Sequence, residues 1–116
     1  MTKVVVGVEN LPYVVNEVSN YPNPFDSRVE TTTLVYILNQ DAPVTVRIYT
    51  VLGALVKEWV FGKAEAGGQA GANELTWDGA NGLGQKVATG AYILLIKADV
   101  PGAAGASATR KLALEH

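Results

Sequence analysis

The 116 residues, 48% of them hydrophobic and 17% charged, suit one folded domain with its own core and exclude wholesale disorder. A net charge of −2, with nine scattered basic residues, provides no cationic stripe for a row of phosphates. No apolar run reaches the roughly 18 residues of a membrane span, and the absence of cysteine removes disulfides, thiolate catalysis and cysteine-ligated zinc. Neither nucleic acid nor a spanning helix is therefore expected.

Turn signals recur along the chain, and the stretches between them carry the period of β-strands. Residues 1–12 read as a linker or an extra edge strand: Lys3 to Glu9 is β-branched, and Asn10-Leu11-Pro12 breaks it. A sandwich domain is predicted over 13–113. Leu114-Glu115-His116 reads as the start of a cloning-site and polyhistidine tag, although Leu114 also suits the strand before it. On the tag reading, the single histidine is not native.

Tyr13 to Ser19 is the first predicted strand. Asn20-Tyr21-Pro22-Asn23-Pro24-Phe25 then reads as a rigid kinked crossover, because two prolines fix φ twice and remove two donors. Thr32 to Leu38 alternates, with Leu34, Tyr36 and Leu38 on one face. Pro43 to Thr50 alternates again, setting Val44, Val46 and Ile48 against Thr45, Arg47 and Tyr49, the contrast of a half-buried antiparallel strand. Gly53 marks a turn. In Leu55 to Phe61 the apolar Val56 and Trp59 stand three apart, and a β-bulge is expected to absorb the slip.

Asn73 to Trp77 puts Leu75 and Trp77 on one face. Asp78-Gly79-Ala80-Asn81-Gly82-Leu83-Gly84 is turn chemistry. Gly90 opens the strand Ala91 to Ala98, where Tyr92, Leu94 and Ile96 share a face. Pro101 to Gly105 is a hairpin tip, and Ser107 to Leu114 closes the sheet. The Ala-rich segments Ala64 to Ala72 and Ala103 to Ala108, broken by glycines, read as loops or hairpin tips.

These residues also carry a resemblance. Asn20 to Phe25, then Leu34, Tyr36 and Leu38, then Val44, Val46, Ile48 and Tyr49, then Gly53, Trp77-Asp78-Gly79, and Gly90 with Tyr92 follow one another in order. In this the chain resembles the bacterial Ig-like C-terminal modules of the flagellar hook-capping Ig-like and type IX secretion sorting-domain kind, over residues 13 to 114. Thr50 stands where the family often has Asp, and Asp26 where it usually has Asn. Both are turn-edge positions and leave the fold expectation intact.

The fold predicted is an all-β, antiparallel Ig-like (fibronectin III-like) sandwich of seven or eight strands. The resemblance implies a non-catalytic accessory or sorting-type module of a larger secreted or cell-surface bacterial protein. Its expected partners are a domain of that protein or secretion and surface machinery, and its expected location is extracellular or at the cell surface. A carbohydrate-binding module of an extracellular hydrolase is the alternative.

Each motif has a packing reading beside its functional one. Asn20 to Phe25 could be a recognition element, but Phe25 is expected to plug one end of the sandwich while the prolines steer the chain. Asp78 and Asn81 offer one carboxylate and one amide, too few for a dedicated calcium site, so a turn is expected. Trp59, Trp77, Tyr49 and Tyr13 could stack a sugar; Trp77 is instead predicted inside and Tyr49 outside. Neither glycine-rich segment is followed by the residues of a phosphate loop. On the tag reading no native histidine, and in any case no cysteine, exists to build a nucleophile and base, and nothing in the carboxylate spacing asks for glycosidase chemistry. No catalytic, metal or cofactor site is expected. Val35, Ile37, Ile93 and Leu95 are apolar at outward positions, to be covered by the N-terminal strand, a neighbouring domain or a second copy; a contact surface to the parent protein is the expectation.

Overall fold

The computed structural model describes residues 11–99 and 106–115. The expected strand over Lys3 to Glu9, the hairpin tip Pro101 to Gly105 and His116 lie outside the described residues. Seven strands follow in chain order: β1 (Val14–Tyr21), β2 (Thr32–Leu38), β3 (Val44–Thr50), β4 (Leu55–Phe61), β5 (Gly71–Trp77), β6 (Gly90–Ala98) and β7 (Ala106–Leu114). Two antiparallel sheets, ordered β1-β2-β5 and β4-β3-β6-β7, form the Ig-like sandwich that the sequence leads one to expect.

Alternation sets the layers. Leu34, Tyr36 and Leu38 of β2, Val44, Val46 and Ile48 of β3, and Leu94, Ile96 and Ala98 of β6 turn inward and are buried. Trp77, Phe25, Leu112 and Leu114 complete a single core. Burying one such aliphatic or aromatic side chain contributes about 1.5–3 kcal/mol, so the inward rows supply the main drive to fold. The slip in β4 is a bulge: Ile48 faces Lys57 and Tyr49 faces Leu55, which leaves Val56 as the extra residue. Val56 and Trp59 can then both pack against the core.

Several boundaries move. β1 runs on through Asn20 and Tyr21, which the sequence reading gave to the crossover, because both pair with β2 at Leu34 and Thr33. Gly71 and Ala72 belong to β5, and Ala106 and Ala108 to β7, rather than to loops. β7 includes Leu114, one residue past the predicted domain limit; it pairs with Gly90 and is 1% exposed.

The flanks of the sandwich differ. On one, β1 lies close against β7; on the other, β4 and β5 make no comparable approach. Two loops fold over that second flank. Loop 62–70 covers one end, where the buried Tyr36 hydroxyl donates to the Gly67 carbonyl at 2.8 Å. Loop 78–86 is tied to β4 by the Gly82 amide, which donates to the Val56 carbonyl at 3.0 Å.

Candidate functional site

The motif residues converge on one end of the sandwich, where β1 ends, β5 ends, β6 begins and β7 ends. Phe25 is fully buried there. Its ring meets Trp77 edge-on, with centroids 5.6 Å apart, and Trp77 meets Tyr92 in the same manner at 5.9 Å. Such pairs add about 0.5–1.5 kcal/mol beyond their buried area. Phe25, Trp77 and Tyr92 thus form one plug, and the indole Nε1 donates to the Ala80 carbonyl at 2.8 Å.

The crossover holds the plug in place through β7. The Phe25 amide donates to the Ala113 carbonyl at 3.1 Å, and the Glu115 amide donates to the Phe25 carbonyl at 2.8 Å. The Asn23 side chain continues the same ladder: its amide nitrogen donates to Lys111 O at 3.3 Å, and its oxygen accepts from Ala113 N at 2.9 Å. A carboxamide carries one acceptor and two donors, as a backbone unit carries one of each, so Asn23 serves as a surrogate strand residue on the edge of β7. Pro22 and Pro24, each preceded by a cis peptide bond, have no amide hydrogen to leave unsatisfied here.

Asn20 is buried, and its side chain joins three elements. Its amide nitrogen donates to Thr32 Oγ1 at 3.0 Å, Thr32 Oγ1 donates to the Pro22 carbonyl at 2.8 Å, and Arg110 Nε donates to Asn20 Oδ1. Thr32 and Arg110 escaped the sequence reading. They stand 12 and 90 residues from Asn20, and no local pattern links them. Tyr21, in contrast, is 81% exposed.

The turn after Trp77 uses its polar groups on itself. Asp78 Oδ1 accepts from Ala80 N at 3.0 Å, while Asn81 Oδ1 accepts from Leu83 N at 2.9 Å and Gln85 N at 3.0 Å. Lys86 Nζ donates to the carbonyls of Asp78 and Ser27. These are turn bonds of the expected kind. Gly79 has φ +83°, and a Cβ there would lie 2.6 Å from Ser27 Cβ. Only glycine fits that backbone and that space.

An open groove of about 560 Å³ runs beside this end, lined by Asp26, Arg28, Thr89, Gly90, Leu114 and Glu115 among others. Within it Arg28 pairs with Asp26 at 2.8 Å, which holds the guanidinium pKa above its ordinary value. The Thr89 hydroxyl donates to the Glu115 carbonyl at 2.9 Å. Among the described residues, no three of His, Cys, Asp and Glu gather as a metal site, and no buried side-chain nitrogen or oxygen lacks a partner. The geometry here is that of a closed packing and hydrogen-bonding network rather than of reacting groups.

The four candidate stacking rings fall apart in space. Trp77 is buried, Trp59 packs on the core beneath Lys57 Nζ at 5.6 Å, and Tyr49 accepts a bond from Arg47. Tyr13 sits at the opposite end beside Asn39. The outward apolar residues also divide. Val35 and Ile37 lie on the outer face of the three-stranded sheet, Ile93 and Leu95 on that of the four-stranded sheet. The four residues therefore do not share one face of the molecule.

The sequence matches the FlgD Ig-like domain family over residues 22–102. The chain belongs to the FlgD Ig-like domain family. That family is non-enzymatic. Among solved structures, dimeric latent PorU from Porphyromonas gingivalis aligns with a TM-score of 0.69 and 24% identity, over 85% of this chain and 9% of that one. FlgD from Pseudomonas aeruginosa aligns at 0.62 and 23%, over 85% of this chain and 68% of that one. PorZ, described as an essential bacterial surface component of the type IX secretion system of P. gingivalis, aligns at 0.56 and 20%, over 85% of this chain and 11% of that one. No curated protein matches the chain. These likenesses are likenesses of fold. The chain equals a small part of the PorU and PorZ lengths, so what those whole proteins do is not carried over by the FlgD Ig-like match.

Proposed function

We propose that this FlgD Ig-like chain is a non-catalytic module of a larger exported bacterial protein, used for secretion, surface attachment or protein–protein contact. The observation that carries the reading is how the motif is spent. Phe25, Trp77 and Tyr92 pack on one another at the sandwich end, while the Asn20 side chain bonds Thr32 and Arg110 and that of Asn23 bonds the β7 backbone. What remains for function is surface. The recurrence of the fold as a small fraction of PorU and PorZ supports a module within a larger chain. The surface location stated for PorZ supports an extracellular or cell-surface setting.

The test is a fusion. A reporter enzyme carrying a signal peptide and this chain at its C-terminus is expressed in a bacterium with a type IX system, and in a strain lacking it. The expected result is reporter activity on the surface or in the medium of the first strain only. Equal retention of the reporter in the periplasm of both strains overturns the export role. A second reading, a part in flagellar hook assembly, is favoured by the family match and by the FlgD structures. Complementation of a hook-cap deletion by a cap protein carrying this module in place of its own would establish it.

A further inference from the structure

β4 departs from the pattern of every other strand. Five of its seven residues are apolar, yet none is buried, whereas each of the other six strands buries at least one side chain. Its two faces are both apolar: Leu55 and Val60 are 54% and 69% exposed on the outer side, while Val56, Trp59 and Phe61 only partly pack on the core from the inner side. β4 is also an edge of its sheet, on the flank where β5 does not close over it. An edge strand of this composition is a template for a further strand.

The two ends of that edge are occupied. The bulge at Val56 and the Gly82 amide on its carbonyl block pairing at the start of β4, and loop 62–70 folds back beyond Phe61. The free run is Lys57 to Phe61, about 17 Å at the rise of a strand, which is the length of an ordinary short strand. Along it, alternate N–H and C=O groups face away from β3.

Charge selects the occupant. Glu58 is neutralised by Arg47, with Nε 2.6 Å from Oε2. Lys57 lies over the Trp59 ring, and among the described residues neither it nor Lys63, just past the strand, has a carboxylate within ion-pair distance. The edge therefore presents Lys57 on its free run and Lys63 beyond its end without ion-pair partners, the nearby Glu65 carboxylate accepting from the Gly62 amide at 2.9 Å. A second copy would bring the same cations to the same edge, whereas an acidic strand would meet them with opposite charge. We infer that the β4 edge, from Lys57 to Phe61, accepts an extended segment of a partner protein in which apolar residues alternate with carboxylates. This interaction does not depend on the export role and survives its failure.

The experiment is a ¹⁵N NMR titration of the full chain with an acetylated, amidated heptapeptide alternating valine and glutamate. The expected result is saturable amide shifts concentrated in residues 57–61. A matched peptide with lysine for glutamate is expected to bind more weakly, and Lys57→Glu to weaken the acidic peptide about threefold or more, the size of an exposed ion pair with added repulsion. Lys57→Gln, which keeps the stem over Trp59, is expected to fall between. Three outcomes overturn the inference: shifts that spread over the surface without focus on β4, equal binding of both peptides, or concentration-dependent self-association that protects the same amides before peptide is added.

Discussion

Tyr36 shows how much a single position does in this fold. Its ring lies in the core, and its hydroxyl satisfies the Gly67 carbonyl of a loop 31 residues away. Burial pushes its pKa up to about 12, because the phenolate would lose its hydration. The consequence for stability has a definite sign. Below about pH 10 the phenol is protonated in both the folded and unfolded states, and the contribution is complete. Between about 10 and 12 the unfolded chain ionises first, so stability falls by up to about 3 kcal/mol at the conversion of 1.36 kcal/mol per unit. Tyr92, whose pKa is also raised by burial, acts in the same direction. Denaturant melts from pH 9 to 12 are expected to show this loss, and Tyr36→Phe to remove part of the slope. An unchanged slope in the variant would place the phenol outside the protected interior.

At the scale of elements, strand periodicity made most of the architecture legible. The rows Leu34-Tyr36-Leu38, Val44-Val46-Ile48 and Tyr92-Leu94-Ile96 could be read because a strand turns alternate side chains to alternate faces. The three-residue gap between Val56 and Trp59 even located the bulge. Asn20 and Tyr21 were misplaced because the prolines after them dominate the local signal, while their pairing with Thr33 and Leu34 is a tertiary fact. The Trp77-Asp78-Gly79 turn yields a sharp expectation. Gly79→Ala would combine a left-handed backbone with a contact too close to Ser27 and Leu114, and should cost about 2–4 kcal/mol from the two effects together. Gly53 also has positive φ, but a Cβ there meets nothing within 4 Å, so Gly53→Ala should cost only the backbone part, about 1–2 kcal/mol. Equal costs for the two variants in urea melts would show that the turn relaxes around the added methyl.

At the scale of the molecule, the sequence could not assign outward faces to sheets. Val35, Ile37, Ile93 and Leu95 look alike in a pattern, and only the strand orders β1-β2-β5 and β4-β3-β6-β7 send the two pairs to opposite sides. The same long-range pairing decides what holds the two halves of the chain together. Phe25 bridges Leu114 in parallel register, and the backbones of Ala113 and Glu115 bond to Phe25 from both sides. Leu114 also lies in the core, and its Cδ1 would stand 3.0 Å from a Cβ at Gly79. Removing residues 114–116 therefore deletes a buried leucine and one of the two bonds that seat the plug. The expected cost is at least that of a buried Leu→Ala change, about 2–5 kcal/mol, and Phe25→Ala alone should cost about 3–5 kcal/mol. Because both act on one contact, the combined change should cost less than the sum, by about 1 kcal/mol or more. If instead the truncation is neutral in denaturant melts while Phe25→Ala remains costly, the plug is held by Trp77 and Tyr92 without the end of β7.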